Sequence, residues 1–164
     1  MKFYTYYQSP LGTLTIQASD DGILGAWFEQ QTTQPEELGI EDALHPVLQQ
    51  AVSEFQAYFA GELKDFELPL QPQGTEFQRD VWQALVAVQW GKICSYSDIA
   101  NTINRPKAVR AVGAANGRNP IPIIIPCHRV IGSNGTLTGY YGGVHIKQAL
   151  LAIEGHTQYQ PSLL

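Results

Sequence analysis

The chain has 164 residues, 44% of them hydrophobic, and a net charge of −5, enough for one domain or two small ones with an apolar core. No apolar run reaches membrane-spanning length, and the opening MKFYTYYQSPLG lacks a leader's apolar stretch and cleavage site, so a soluble cytoplasmic protein without membrane contact is expected. The only two cysteines, Cys94 and Cys127, stand in no zinc-binding spacing; both are expected as free thiols, with no metal and no cofactor.

Residues 1–30 read as β-structure. The runs from Lys2 to Tyr7, Thr13 to Gln17 and Ile23 to Phe28 are separated by Ser9-Pro10-Leu11-Gly12 and Asp20-Asp21-Gly22 turns at hairpin spacing. Residues 31–45 are polar and read as loop. From Pro46 to Phe59 the apolar positions recur at helical spacing, with Gly61 as the stop. A short strand from Phe66 to Leu70 is expected to return to the sheet, and Gln71 to Gly74 reads as a linker. This first part gathers no reactive groups and reads as support.

Thr75 and Glu76 open a helix predicted to run to about Trp90, with Phe77, Val81, Trp82, Leu85 and Val88 on one stripe. Ser97 is the expected cap of a short helix over Asp98–Ile103, and a second short helix is expected from Lys107 to about Asn116. Two short helices across a tight connection read either as a DNA-reading helix-turn-helix or as plain packing. Charge bears on that choice. Residues 1–72 carry a net −9 and residues 73–164 a net +4, and Lys92, Arg105, Lys107, Arg110, Arg118 and Arg129 fall within thirty-eight positions. Such a basic patch on an acidic protein suits phosphate contact, and it equally suits a solvated face.

Residues 119–131, NPIPIIIPCHRVI, concentrate the chemistry. Three prolines bar a helix and four isoleucines suit a buried, extended segment, which ends in Cys127, His128 and Arg129. A thiol is a nucleophile as the thiolate, and a neighbouring base or cation favours that form. Successive side chains on a strand point to opposite faces, so cooperation of Cys127 with His128 requires a turn or a bridging water. The alternative is a small buried cysteine beside a surface histidine. Glycines 132, 135, 139, 142 and 143, with Tyr140 and Tyr141, form a loop that would let a flat ligand approach; it has no phosphate-loop spacing. His145 to Ile153 reads as a closing helix, with Glu154 where a helix dipole disfavours a carboxylate.

Taken together, GTEFQRDVWQAL, YSDIA, RPKAVRAVGAANGRNPIPIIIPCHRVIG and GYYGGVHIKQALLAIEG resemble the O6-alkylguanine-DNA alkyltransferases, strongly over residues 73–157. The resemblance implies an α/β protein: a ribonuclease-H-like sheet-and-helix domain over residues 1–72 and a mostly helical domain with a helix-turn-helix over residues 73–164. It implies a monomer that binds double-stranded DNA containing alkylated guanine. Cys127 would take the alkyl group of O6-methylguanine, and of O4-methylthymine as a second lesion, in one irreversible event. Glu154 would orient His128, and His128 would draw the Cys127 proton through a water. Asn119 would be the hinge between the helix pair and the active-site strand, and Arg129 a structural neighbour.

By the same resemblance Arg110 is the finger that fills the gap left by a flipped nucleotide, Tyr96 steers the phosphate and faces guanine, and Lys107, Ala111 and Ala115 lie along the minor groove. Backbone groups of Cys127 and Val130 would read the guanine edge, and Lys147 would support the loop. Tyr141 departs from the smaller residues common in the family and would reshape the pocket. Three rivals differ in outcome: a lesion-binding module without chemistry, a cysteine hydrolase that turns over, and a sequence-specific transcriptional regulator.

Overall fold

The structure, a computed structural model, describes residues 1–132, 137 and 143–158. Strands β1 (Phe3–Ser9), β2 (Gly12–Ser19) and β3 (Gly22–Phe28) form an antiparallel meander, and β4 (Ile40–Glu41) pairs parallel to β1 on the far side, giving the order β3-β2-β1-β4. The two hairpins fall where the turn residues place them; Ser9 Oγ closes the first by donating to the Gly12 carbonyl at 2.6 Å. β4 lies inside the stretch read as loop. Two exposed residues give no periodic signal, and β4 is held by backbone bonds to β1 such as Ile40 N–H to the Lys2 carbonyl at 3.0 Å.

Helix α1 (Pro46–Phe59) covers the sheet with Leu48, Ala51, Phe55 and Tyr58, spaced three and four apart and all fully buried. Burial of a side chain such as Phe55 is worth about 1.5–3 kcal/mol. His45 caps the helix by accepting the Val47 N–H, and Gly61 ends it at a φ of +77° that suits glycine. The predicted strand at 66–70 reduces to one bridge between Leu70 and Ile23. Pro69 explains the loss, since it has no N–H to give a ladder; its carbonyl instead accepts the Ile23 N–H at 2.8 Å.

Helix α2 (Glu76–Val86) starts in a capping box made by Thr75 and Gln78, and stops four residues short of the expected end. Gly74 precedes it because a Cβ there would stand 2.5 Å from the Trp82 ring. Strand β5 (Cys94–Ser95) leads into α3 (Tyr96–Thr102), whose cap is Ser95 rather than Ser97: Ser95 Oγ accepts the Asp98 N–H at 3.1 Å, and Asp98 accepts the Ser95 N–H in return. Helix α4 (Val109–Gly117) begins two residues later than predicted. A 3-10 turn (Cys127–Arg129) runs into β6 (Val130–Ile131), which pairs parallel with β5, and α5 (Val144–Ile153) closes the described chain.

One hydrophobic core runs from Leu14 and Phe28 through Tyr58 and Trp82 to Leu150. The edge strand β3 is buried along its whole length because later segments cover it: Gln71 N–H donates to the Ile23 carbonyl, and Ala26 N–H to the Pro120 carbonyl, both at 2.8 Å. Among the described residues, no helix is long and apolar enough to cross a membrane.

Candidate active site

The approach to Cys127 is folded, not straight. Prolines remove donors and fix φ near −65°, which suits turns as well as extended chain. Ile125 N–H reaches back to the Ile121 carbonyl at 2.9 Å, across a turn in which Ile123 takes a φ of +74°. A β-branched residue adopts that backbone at a cost of about 1–3 kcal/mol. Pro126, at φ −82° and ψ 64°, then forms an inverse γ-turn closed by Cys127 N–H to the Ile125 carbonyl at 2.8 Å. Arg129 N–H donates to the Pro126 carbonyl, so the thiol and imidazole sit on a tight turn instead of opposite faces of a strand.

Asn119 holds this path in place. Its Nδ2 donates to the Ile125 carbonyl at 2.8 Å while its Oδ1 accepts the Ile121 N–H at 2.9 Å, tying the chain just after α4 to the residues before the thiol. Asn116, from α4 itself, donates to the Cys127 carbonyl at 3.5 Å. That carbonyl also accepts the Val130 N–H. Both asparagines are buried.

Glu154, at the end of α5, is the centre of a buried polar cluster. Its Oε2 lies 2.7 Å from His128 Nε2 and accepts from the Tyr58 hydroxyl at 2.5 Å and Arg129 Nη2 at 3.1 Å. Oε1 accepts from Arg129 Nε at 2.8 Å, completing a bidentate pair. Arg129 is fixed in turn by donating to the Val88 carbonyl just beyond α2. Burial alone would raise the Glu154 pKa, but the hydrogen bonds from His128, Arg129 and Tyr58 outweigh it and hold the carboxyl well below its usual range.

An ionised Glu154 only accepts, so His128 Nε2 carries the proton. Burial lowers the His128 pKa against the pull of Glu154, and the ring is neutral near pH 7. Nδ1 therefore presents a lone pair, and it has no hydrogen-bond partner among the described residues. The Cys127 thiol is pushed up to about 11 by burial, opposed by a hydrogen bond from Asn119 and by the charge of Lys147. It rests as the thiol and needs a base to react. Fully buried Lys147, lowered to about 8 by burial, lies within electrostatic reach of both Cys127 and Cys94; Cys94 is itself raised to about 11. Among the described residues no group of histidine, cysteine and carboxylate side chains could hold a metal.

The basic positions form a second surface. Lys107, Arg110, Ala111, Ala114 and Arg118 are all exposed at spacings that place them along one side of α4 and its flanks. Ala115 points the other way: it is buried, and its carbonyl accepts Trp82 Nε1 at 2.9 Å, so its side chain is not on that surface. Half-buried Tyr96 opens α3 and lies against Gly113 of α4, where an added Cβ would meet its ring at 3.9 Å. The pairing of Cys94 with Val130 brings the start of α3 alongside the thiol-bearing turn. Tyr141 lies outside the described residues.

Residues 2–72 match the family model of the ribonuclease-like domain of 6-O-methylguanine DNA methyltransferase, and residues 76–156 match that of its DNA-binding domain. A methylated-DNA–protein-cysteine methyltransferase of Methanosarcina acetivorans is 44% identical over 153 residues, covering 93% of this chain and 98% of that protein. The chain belongs to the 6-O-methylguanine DNA methyltransferase family. A constitutive methylated-DNA–protein-cysteine methyltransferase of Bacillus subtilis is 47% identical over 158 residues, 94% of this chain and 96% of its own length. The crystal structure of Mycobacterium tuberculosis OGT in complex with DNA superposes with a TM-score of 0.86 at 44% identity, covering 93% of this chain and 92% of that one. The resemblance carried by PCHR and its flanking motifs is thereby borne out, together with a mixed α/β fold of an N-terminal sheet and a helical C-terminal part.

Two polar residues of this methyltransferase's site are not visible in the residue pattern. Tyr58 reads as core because it shares the helical stripe of Leu48, Ala51 and Phe55, and its partner lies 96 positions away. Asn116 reads as the polar end of a helix. Only an Asn repeated at 116 and 119, in a segment where Arg118 is the one other polar residue between Ala111 and Pro126, hints at buried backbone needing donors.

Proposed function

We propose that the protein repairs DNA by moving the alkyl group of O6-methylguanine, once per molecule and irreversibly, onto its own Cys127, with O4-methylthymine as a second lesion. Neutral His128, with Nε2 held by Glu154 and Nδ1 unsatisfied, on the same tight turn as a thiol that burial keeps protonated, is the observation that carries this reading. In the transfer His128 takes the thiol proton through a water, and the sulfur attacks the alkyl carbon as its bond to O6 breaks. Guanine leaves with the bonding pair and takes up one proton, balancing the one His128 accepted. The thioether product has no leaving route, so the reaction ends there.

The DNA-facing part of the proposal rests on the exposed stripe from Lys107 to Arg118. We read α3 and α4 as a helix-turn-helix whose second helix enters the minor groove, with Arg110 replacing the flipped nucleotide and Ala111 allowing close approach. Tyr96, beside both α4 and the thiol-bearing turn, is suited to guide the extruded base. Asn119 acts as the hinge, and Lys147, Tyr141 and the backbone of Val130 belong to the guanine pocket. The halves divide at about residue 72, the first having a ribonuclease-H-like arrangement. A DNA substrate and two free thiols suit a cytoplasmic monomer.

Intact and peptide mass spectrometry after incubation with duplex DNA containing O6-methylguanine tests the reading. A gain of about 14 Da, saturating at one per molecule and located on the Cys127 peptide, is expected. Cys127→Ser should gain nothing. Binding without any mass change would instead favour a lesion-binding module, and multiple turnover a hydrolase.

A further inference from the structure

We infer that Tyr58, contributed by helix α1 of the sheet half, is a positioning residue of the transfer reaction: its hydroxyl holds the Glu154 oxygen that in turn holds the His128 ring. The inference rests on the alkyl-transfer reading above and extends it to the N-terminal part of the chain, to which that reading gives no chemical role.

The geometry is specific. Glu154 Oε2 receives the Tyr58 O–H at 2.5 Å and lies 2.7 Å from His128 Nε2, so phenol and imidazole meet on one atom. An ionised carboxylate offers about four acceptor sites, and the donors present number four: Arg129 Nε, Arg129 Nη2, Tyr58 and His128. Rotation of the carboxylate would break at least one of these bonds. Tyr58 is itself immobile, since its ring packs edge-on to Phe59 at 5.4 Å and tilted against Phe66 at 5.6 Å, and it is fully buried. Burial, then the charge of Glu154, drives its pKa far up, so the hydroxyl always donates.

Sharing sets the sign of the effect. Oε2 divides its negative charge among the Tyr58 proton, the His128 N–H and the longer bond from Arg129 Nη2. Without the phenol, more of that charge acts on the imidazole, which then holds an extra proton on Nδ1 more tightly and is a free base only at higher pH. The other groups facing this pair are Arg129, on the same turn, and Lys147, on α5; both oppose a charged His128. Cys127 is the adjacent residue. Tyr58 thus keeps Nδ1 available as the acceptor of the thiol proton, and a helix of the sheet half completes the reacting centre.

The test is the pH profile of the single-turnover rate for wild type and Tyr58→Phe on duplex DNA containing O6-methylguanine. Phe preserves the ring and its packing. The acid limb is expected to move to higher pH, so that the rate at pH 6 relative to pH 8 falls about twofold or more, with one alkyl group still ending on Cys127 and duplex affinity unchanged. Replacing Tyr58 with 3,5-difluorotyrosine, which keeps the shape and strengthens the donor, should move the limb the opposite way; this variant decides the matter if Tyr58→Phe does not fold. Profiles that superpose on wild type after scaling would overturn the inference and leave Tyr58 as packing. Failure of wild type itself to take up the alkyl group would overturn the functional reading, and the role of Tyr58 with it.

Discussion

Arg129 shows how one side chain can be structural and still essential to a reacting site. Its guanidinium spans the two oxygens of Glu154 and the Val88 carbonyl, so it both neutralises the carboxylate and fixes the end of α2 against the active-site turn. Lysine has the charge but not the planar fork. Arg129→Met leaves Glu154 buried with one neutral donor and one imidazole, and removal of one partner of a buried ion pair costs about 3–5 kcal/mol. Urea unfolding should show that loss, with Arg129→Lys recovering only part of it; a Met variant within about 0.5 kcal/mol of wild type would contradict this account. The chain that Arg129 grips has already left the helix: Val88 N–H falls back to the Leu85 carbonyl and Gly91 takes a φ of +82°, so α2 ends in turns before Trp90.

At the scale of elements, the difference between Ser97 and Ser95 is instructive. Both precede acidic or apolar residues in a plausible order, and the choice depends on which backbone is extended. Pairing of Cys94–Ser95 with Val130–Ile131 extends Ser95 and makes it the cap, a long-range contact that the local pattern does not contain. Ser95→Ala should therefore cost about 1 kcal/mol, or about 2–4 °C in Tm, while Ser97→Ala, at an exposed position inside the helix, should change little. The opposite ranking in thermal melts would return the cap to Ser97. Elements with strong periodicity, such as α1, were legible to the residue. The segment 119–126 was legible in composition only: its prolines do exclude a helix, but they make two turns where extension was expected, because the turn at Ile123 is held by Asn119 and by core packing rather than by its own preferences. Cys127 and His128 stood out by residue type. Glu154 stood out as a carboxylate at the wrong end of a helix, and the structure supplies its reason in three partners from two distant segments.

The whole molecule is joined where its chemistry is. Tyr58 and Glu154 link α1 to α5, Pro120 covers the edge of β3, and one core passes through both halves, so the two parts should unfold together. Titration of the buried cluster then governs the stability of the entire chain. Glu154 has a folded pKa depressed below its unfolded value of about 4.3, so its contribution is fully present above that pH and is lost as pH falls toward the folded value. His128 is also lowered, from an unfolded value of about 6.5; the unfolded chain takes up its proton first, and stability declines as pH drops below that point. Both signs agree. Urea midpoints should be highest above pH 6.5 and fall in two stages, one below about 6.5 and one below about 4.3, with Glu154→Gln flattening the lower stage. Far-UV circular dichroism, to which both halves contribute, and fluorescence of Trp27 in the first half and of Trp82 and Trp90 in the second should report the same midpoint at every pH. A midpoint that stays level from pH 7 to 4 would show that the cluster is not what holds the halves together, and separate transitions by the two probes would show that the shared core does not make them one unit.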